Sequence, residues 1–162
     1  MSKYAVNLIS KTEELGTLTL SPRKNKLMFD THIKNTSGKI NRQKLISIGD
    51  VVYILFHGKQ LHKIGKAAGA SGLYDRMKQY EKYGKAIGPT NKKIVKSMKD
   101  KSIDRVTIHI IKCPRKKVKI KNPITGSNMV MHIETAHAIE QKLIQEAYAA
   151  GEKLPWCQEV KK

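Results

Sequence analysis

The sequence predicts an α+β domain: a small three-stranded sheet flanked by helices, with an added β-hairpin and an N-terminal extension. Three observations predict it. Val51 to Phe56 is an unbroken apolar run rich in β-branched and aromatic residues, the composition of a buried strand, and Gln60 to Gly65 returns after a short turn. From Gly72, the residues Leu73, Arg76, Met77 and Tyr80 recur at three- and four-residue spacing, one face of a helix that follows the N-cap candidate Ser71. Arg105 to Cys113 alternates Val106, Ile108 and Ile110 against Thr107, His109 and Ile111, the two-residue period of a third sheet strand.

In chain order, residues 1–48 form the extension, a wrapping arm or DNA contact. Thr17–Leu20 and Lys26–Phe29 read as short strands around the turn-prone Ser21-Pro22-Arg23-Lys24-Asn25. Asn35–Gly38 is a loop, and Lys39–Ile48 a short helix or a strand. Residues 49–162 are the main domain. Its first hairpin turns at His57-Gly58-Lys59, and a three-residue loop centred on Gly58 sets Tyr53 opposite Lys63. Gly84–Thr90 is a loop, and Asn91 caps a basic helix over Lys92–Lys101. An inserted basic hairpin occupies 115–132, with Lys117–Lys121 and Asn128–His132 flanking a turn. The last helix runs from Glu134 to Ala150, and Pro155 stops further helix. Trp156 reads as core.

Several polar residues stand where a plain core would be apolar. A lysine ammonium beside a phenol favours phenolate and lowers a tyrosine pKa from about 10, which makes Tyr53 a candidate base; the other reading is a core tyrosine beside a snorkelling lysine. Arg76 interrupts the apolar stripe of its helix, and an unpaired buried guanidinium is costly, so it needs a partner or a ligand. Glu140 interrupts the stripe Ala136, Ile139, Leu143, Ile144, Ala147 of the last helix in the same way, whereas Glu134 and Glu146 have no such setting.

A Val-Val-Tyr strand, a Lys-Ile-Gly strand about ten residues later, an arginine on the following helix and a Glu-x-x-Leu-Ile helix before a proline together resemble the GIY-YIG nuclease superfamily. Within it the sequence is most similar to small type II restriction endonucleases with lysine in the second motif. The similarity covers roughly Gly49 to Gln158. It implies that Tyr53 is the first-motif tyrosine, Lys63 the second-motif position, Arg76 the helix arginine and Glu140 the single metal-binding carboxylate, for Mg²⁺ or Mn²⁺. Lys66 stands where some members have histidine, and Tyr80 supports the arrangement one turn beyond Arg76. The first motif lacks its glycine and isoleucine, and Gln158 stands where many members place an asparagine after Pro-x-x.

The charge balance agrees with a polyanionic partner. The chain of 162 residues carries 32 Lys and Arg against 13 Asp and Glu, a net +19, which favours phosphate-rich ligands. Expected double-stranded DNA contacts are Arg115, Lys116, Lys117, Lys119 and Lys121 on the inserted hairpin, Lys92 and Lys96 on the basic helix, and Gln158. Arg23, Lys24, Lys26, Arg42 and Lys44 are further phosphate candidates in the extension, and Asn122, Thr125, Ser127 and Asn128 are candidates for reading base edges. No apolar span approaches about 18 residues and no signal-peptide pattern opens the sequence, so a cytoplasmic protein of a bacterial or phage-infected cell is expected. Cys113 and Cys157 form no CxxC pair, and the histidines show no zinc spacing. The expected activity is metal-dependent DNA cleavage of restriction type, by a homodimer because one catalytic set serves one strand. Nicking, homing or phage-encoded enzymes share the same residues, and a noncatalytic basic nucleic-acid-binding protein shares the charge but leaves Arg76 and Glu140 unexplained.

Overall fold

The computed structural model describes residues 2–157. Helix α1 (Lys3–Lys11) leads into strands β1 (Glu13–Leu20) and β2 (Leu27–Thr31), then helix α2 (Arg42–Ser47). The hairpin of β3 (Val51–His57) and β4 (Gln60–Ala67) follows, with helices α3 (Gly72–Tyr80) and α4 (Pro89–Lys99) and strand β5 (Val106–Lys112) after it. A further hairpin, β6 (Lys116–Lys121) and β7 (Asn128–Ile133), precedes helix α5 (Ala136–Ala149).

Five strands, not three, make the main sheet, in the order β2-β1-β5-β3-β4 with every neighbouring pair antiparallel. The two additional strands come from the first 31 residues. β1 was legible only as its second half, because its first half, Glu13-Glu14-Leu15-Gly16, is polar and broken by a bulge next to Gly16. A Cβ at Gly16 would run into the Asp30 carbonyl, so this crossing needs glycine. Helix α1 was not anticipated from the sequence. In Lys39–Ile48 the helical alternative is the one adopted, and the Asn41 side chain caps it by accepting from the Lys44 N–H at 3.0 Å.

β3 is covered on both faces, which is why its sequence does not alternate. Val51, Tyr53 and Leu55 enter one core with Leu73, Met77 and Tyr80 of α3, Ile94 and Met98 of α4, and Leu45 of α2. Val52, Ile54 and Phe56 enter the other, with Ala5 and Leu8 of α1 and Ala136 and Ala147 of α5. The sheet is thus the middle layer, with α2, α3 and α4 on one side and α1 and α5 on the other.

The β3–β4 connection differs from the expected loop. His57 pairs with Gln60, so the turn has two residues, Gly58 and Lys59, with Gly58 at φ 56°. Leu55 pairs with Lys63 but Phe56 with Leu61, leaving His62 as the extra residue of a bulge. Downstream of it the register is offset, and Tyr53 lies opposite Gly65 rather than Lys63.

Two caps also differ. Ser71 precedes α3 without a side-chain capping bond. α4 starts earlier than expected, at Pro89, and Asn91 lies inside its first turn. Its side-chain amide donates instead to the carbonyls of Gln79 and Tyr80 at 2.9 and 3.0 Å, satisfying the C-terminal end of α3. β6 and β7 form a separate two-stranded sheet. No helix among the described residues is long and apolar enough to cross a membrane.

If the two-sided burial of β3 anchors both cores, Ile54→Ala, at a fully buried position, lowers unfolding free energy by about 2–5 kcal/mol. Urea denaturation followed by circular dichroism measures it, and a loss under 1 kcal/mol would contradict the assignment.

Candidate active site

Strand β4 is an edge of the sheet, and beside it lies a cleft of about 510 Å³. Tyr53, Lys63, Lys66, Arg76, Tyr80 and Glu140, the six residues singled out above as candidates for chemistry, all line it. They arrive from different elements. Tyr53 comes from β3, Lys63 and Lys66 from β4, Arg76 and Tyr80 from α3, and Glu140 from α5, which packs on the opposite face of the sheet.

Tyr53 is 2 % exposed, and its ring crosses the backbone of Gly65 so closely that a Cβ there would collide with the phenol. The Tyr80 hydroxyl donates to the Tyr53 oxygen at 3.0 Å, and the two rings meet edge to face at 6.0 Å. Tyr53 Oη is therefore a fixed acceptor at the cleft wall. Lys63 Nζ donates to Thr90 Oγ1 and to the Trp156 carbonyl, each at 3.4 Å. Arg76 Nη1 donates to Gln79 Oε1 at 2.9 Å, one turn along its own helix. Lys66 Nζ pairs with Glu134 Oε1 at 3.2 Å.

The electrostatics differ from the cross-strand expectation. Burial pushes the Tyr53 phenol above its usual range, and the hydrogen bond from Tyr80 and the charge of Arg76 pull it back in part. Lys63 does not do so: it lies opposite Leu55, and its own ammonium is pushed down by burial. Tyr80 is pushed well up by burial, then by its contact with Tyr53.

Glu140 is mostly buried, its side chain 14 % exposed, and His137 Nδ1 stands 3.5 Å from its Oε2. His137 also lines the cleft and was passed over in the sequence. The signal was available, since a residue three positions before Glu140 shares its helix face. Lys82 is a further cleft cation that was missed, so Lys63, Lys66, Arg76 and Lys82 line the cleft together with one carboxylate, Glu140. That is a receptacle for an anion.

The expected DNA contacts fall apart into groups. Lys92 and Lys96 are exposed on α4. Lys117, Lys119 and Lys121 share one face of the β6–β7 ribbon, and Lys116 lies on the other. Arg115 is engaged by the buried Asp50, at 2.8 and 3.3 Å. That hydrogen bond holds the Asp50 carboxyl below the usual carboxylate range. Asn122, Thr125 and Ser127 bond within the turn. Gln158 lies outside the described residues. His109 is structural, 2.9 Å from Thr12 Oγ1 and against Phe56.

No protein-family model matches the chain, and no curated protein sequence does. Solved structures do. The chain is similar to a mutant of bacteriophage T4 EndoII, with TM-score 0.56 and 15% sequence identity over 98% of this chain and 100% of that one. It is also similar to the restriction endonuclease Hpy188I in complex with product DNA, with TM-score 0.53 and 13% identity over 99% of this chain and 87% of that one. Both are GIY-YIG nucleases, so the chain has the fold that the resemblance implied.

The bulge that sets this register carries a titratable group. His62 stacks on Trp156 with ring centroids 4.2 Å apart, and neither ring nitrogen has a protein partner. Burial, then the nearby His57, push its pKa from 6.5 down to about 4. The unfolded chain therefore binds a proton that the folded chain refuses between those values, and stability falls as pH drops from 6.5 to 4. His62→Phe should flatten that segment of the Tm-versus-pH curve; an unchanged slope would refute the assignment.

Proposed function

We propose that the chain is a divalent-metal-dependent endonuclease that hydrolyses phosphodiester bonds in double-stranded DNA. The observation that carries this reading is the arrival of Tyr53, Lys63, Arg76 and Glu140 in one cationic cleft on a protein of net charge +19. The shared fold with two nucleases supports it.

The donor set of the cleft fits a hard divalent cation. Among the described residues no cluster of three or more His, Cys, Asp or Glu side chains could enclose an ion. Glu140 offers one carboxylate facing the cleft, with His137 beside it. Mg²⁺ commonly takes one or two carboxylates and fills its remaining positions with water and substrate phosphate, so Glu140 would hold it here. When bound, the ion supplies a Lewis acid that offsets charge on the phosphate oxygens.

The chain's own residues do the rest. Arg76 and Lys63 bind non-bridging oxygens of the scissile phosphate and orient it, and Lys66 and Lys82 extend the same field along the backbone. Tyr53, as phenolate, takes the proton of the water that attacks phosphorus. Burial opposes that form, and the hydrogen bond from Tyr80 and the charge of Arg76 favour it. Tyr80 keeps the Tyr53 oxygen aimed by donating to it, and Gly65 leaves room for the ring. The basic surface of α4 and the ribbon would track the phosphate backbone.

We favour a sequence-specific restriction-type cutter working as a homodimer. A phage-encoded or nicking enzyme is the second reading, and the whole-length similarity to EndoII of bacteriophage T4 favours its phage-encoded form. Incubation of supercoiled plasmid with Mg²⁺ tests both: discrete linear fragments select the first, and open circle without linear product the second. Glu140→Ala and Tyr53→Phe should each slow cleavage by on the order of 10²-fold or more, and the wild-type rate should rise with pH as the phenol ionises. EDTA-insensitive binding without any cleavage would leave only a nucleic-acid-binding protein. Gly65→Ala should slow cleavage by displacing the phenol while Mg²⁺ binding, measured by calorimetry, stays within about twofold of wild type; normal turnover would refute the Tyr53–Gly65 packing.

A further inference from the structure

The fold leaves the surface of the β6–β7 hairpin unexplained. Its register sorts most of the side chains: Lys117, Lys119 and Lys121 share one face with Val130, while Val118, Ile120, Met129, Met131 and Ile133 share the other with Lys116 at its root. All of them except Val118 are exposed. From Arg115 to Ile133 there are five Lys and Arg residues and no carboxylate. At the tip, Ile124 is 91 % exposed, the highest value of any large hydrophobic side chain among the described residues.

That tip is built, not loose. Asn122 Oδ1 accepts from the backbone N–H groups of Ile124 and Thr125 at 2.8 and 3.2 Å, and Asn122 N–H donates to the Ser127 carbonyl at 2.8 Å. Pro123 fixes its own φ, and Gly126 takes the positive φ of 68° that closes the turn. Asn122, Thr125 and Ser127, three of the four side chains expected to read base edges, are engaged in holding this shape, and the residue it displays is a branched hydrocarbon. A cationic two-stranded ribbon matches the phosphate walls of a duplex groove in width and charge. A rigid apolar point at its end matches the one apolar interior a duplex offers, the space between stacked base pairs.

We propose that this hairpin is a DNA-deforming arm, in which the lysine face seats the ribbon on the phosphates and Ile124 wedges between adjacent base pairs and bends the duplex. The proposal rests on the endonuclease reading for the identity of its ligand. The apolar face then lies against the sugars lining the groove. Pairing of that face with a second copy is less well supported by its size, since a six-residue ribbon two strands wide covers only about 200 Å², against roughly 800 Å² per partner in a stable interface.

The test uses the full-length chain carrying Glu140→Gln, to prevent cleavage, and a mixed-sequence duplex labelled with a fluorophore at each end and 2-aminopurine along its length. Binding should shorten the end-to-end distance and raise 2-aminopurine emission severalfold. Adding Ile124→Ala should abolish at least half of both signals while changing affinity less than about threefold, and Ile124→Leu should restore them. Lys117→Gln, Lys119→Gln and Lys121→Gln together should weaken binding and reduce the log–log salt slope by about 2.7. An unbent duplex, or an Ile124→Ala variant that bends it normally, overturns the proposal. So does sedimentation showing that Ile124→Ala or Met131→Ser converts a dimer to a monomer without altering the bend. Plasmid cleavage by the wild-type chain separates the two readings: Mg²⁺-dependent cutting by it, with no bending by its Glu140→Gln form, sinks the arm and leaves the nuclease, whereas bending without any cutting does the reverse.

Discussion

The contact between the Tyr53 ring and the bare backbone of Gly65 is the constraint on which the rest of the cleft depends. A phenol can lie across a neighbouring strand only where that strand has no Cβ, and only if the register brings the two residues opposite each other. The bulge at His62 produces that register. Once the ring is down on β4, its hydroxyl reaches the cleft, where Tyr80 can donate to it, and Lys63 is left two residues closer to the turn, free to face Thr90 and the Trp156 carbonyl. The bulge is itself held from outside the hairpin, by the stacking of Trp156 on His62 and the Trp156 N–H bonded to its carbonyl at 3.2 Å. The C-terminal segment thus fixes a register near the middle of the chain.

The second constraint is the burial of β3 on both faces. A strand with solvent on one side would let the helices carrying Arg76 and Glu140 drift apart. With a core on each side, α3 and α5 are held against opposite faces of one sheet, and their polar residues meet beyond the edge strand. The cleft can therefore be cationic and wet while the elements that build it are apolar where they touch.

Much of this was readable from the residues, for reasons that also explain what was not. The buried strand, the α3 stripe, the alternation in β5 and the intrusions of Arg76 and Glu140 are local patterns, and each is set within a dozen residues. The register of β3 against β4 was missed because a bulge is one extra residue with no composition of its own; His62 looks like any strand residue until Trp156, far along the chain, is seen stacked on it. The addition of β1 and β2 to the sheet depends on pairing Leu18 with Val106, a contact between residues 88 positions apart, which no local period encodes. His137 was the opposite case: its one-turn offset from Glu140 was in plain view.

The Asp50–Arg115 pair sits where the ribbon leaves the body, at the residue before β3 and the residue before β6, and Asp50 also accepts from the Gly69 N–H at 3.2 Å. The ribbon projects roughly 20 Å beyond that point, and a lever of this length turns a rotation of ten degrees at its root into a displacement of about three and a half ångströms at its end. This half-exposed guanidinium on a buried carboxylate, together with the Lys66–Glu134 pair at the end of β7, therefore helps to fix where Ile124 stands relative to the cleft, and any substitution that loosens this pivot would be felt most by the atoms farthest from it.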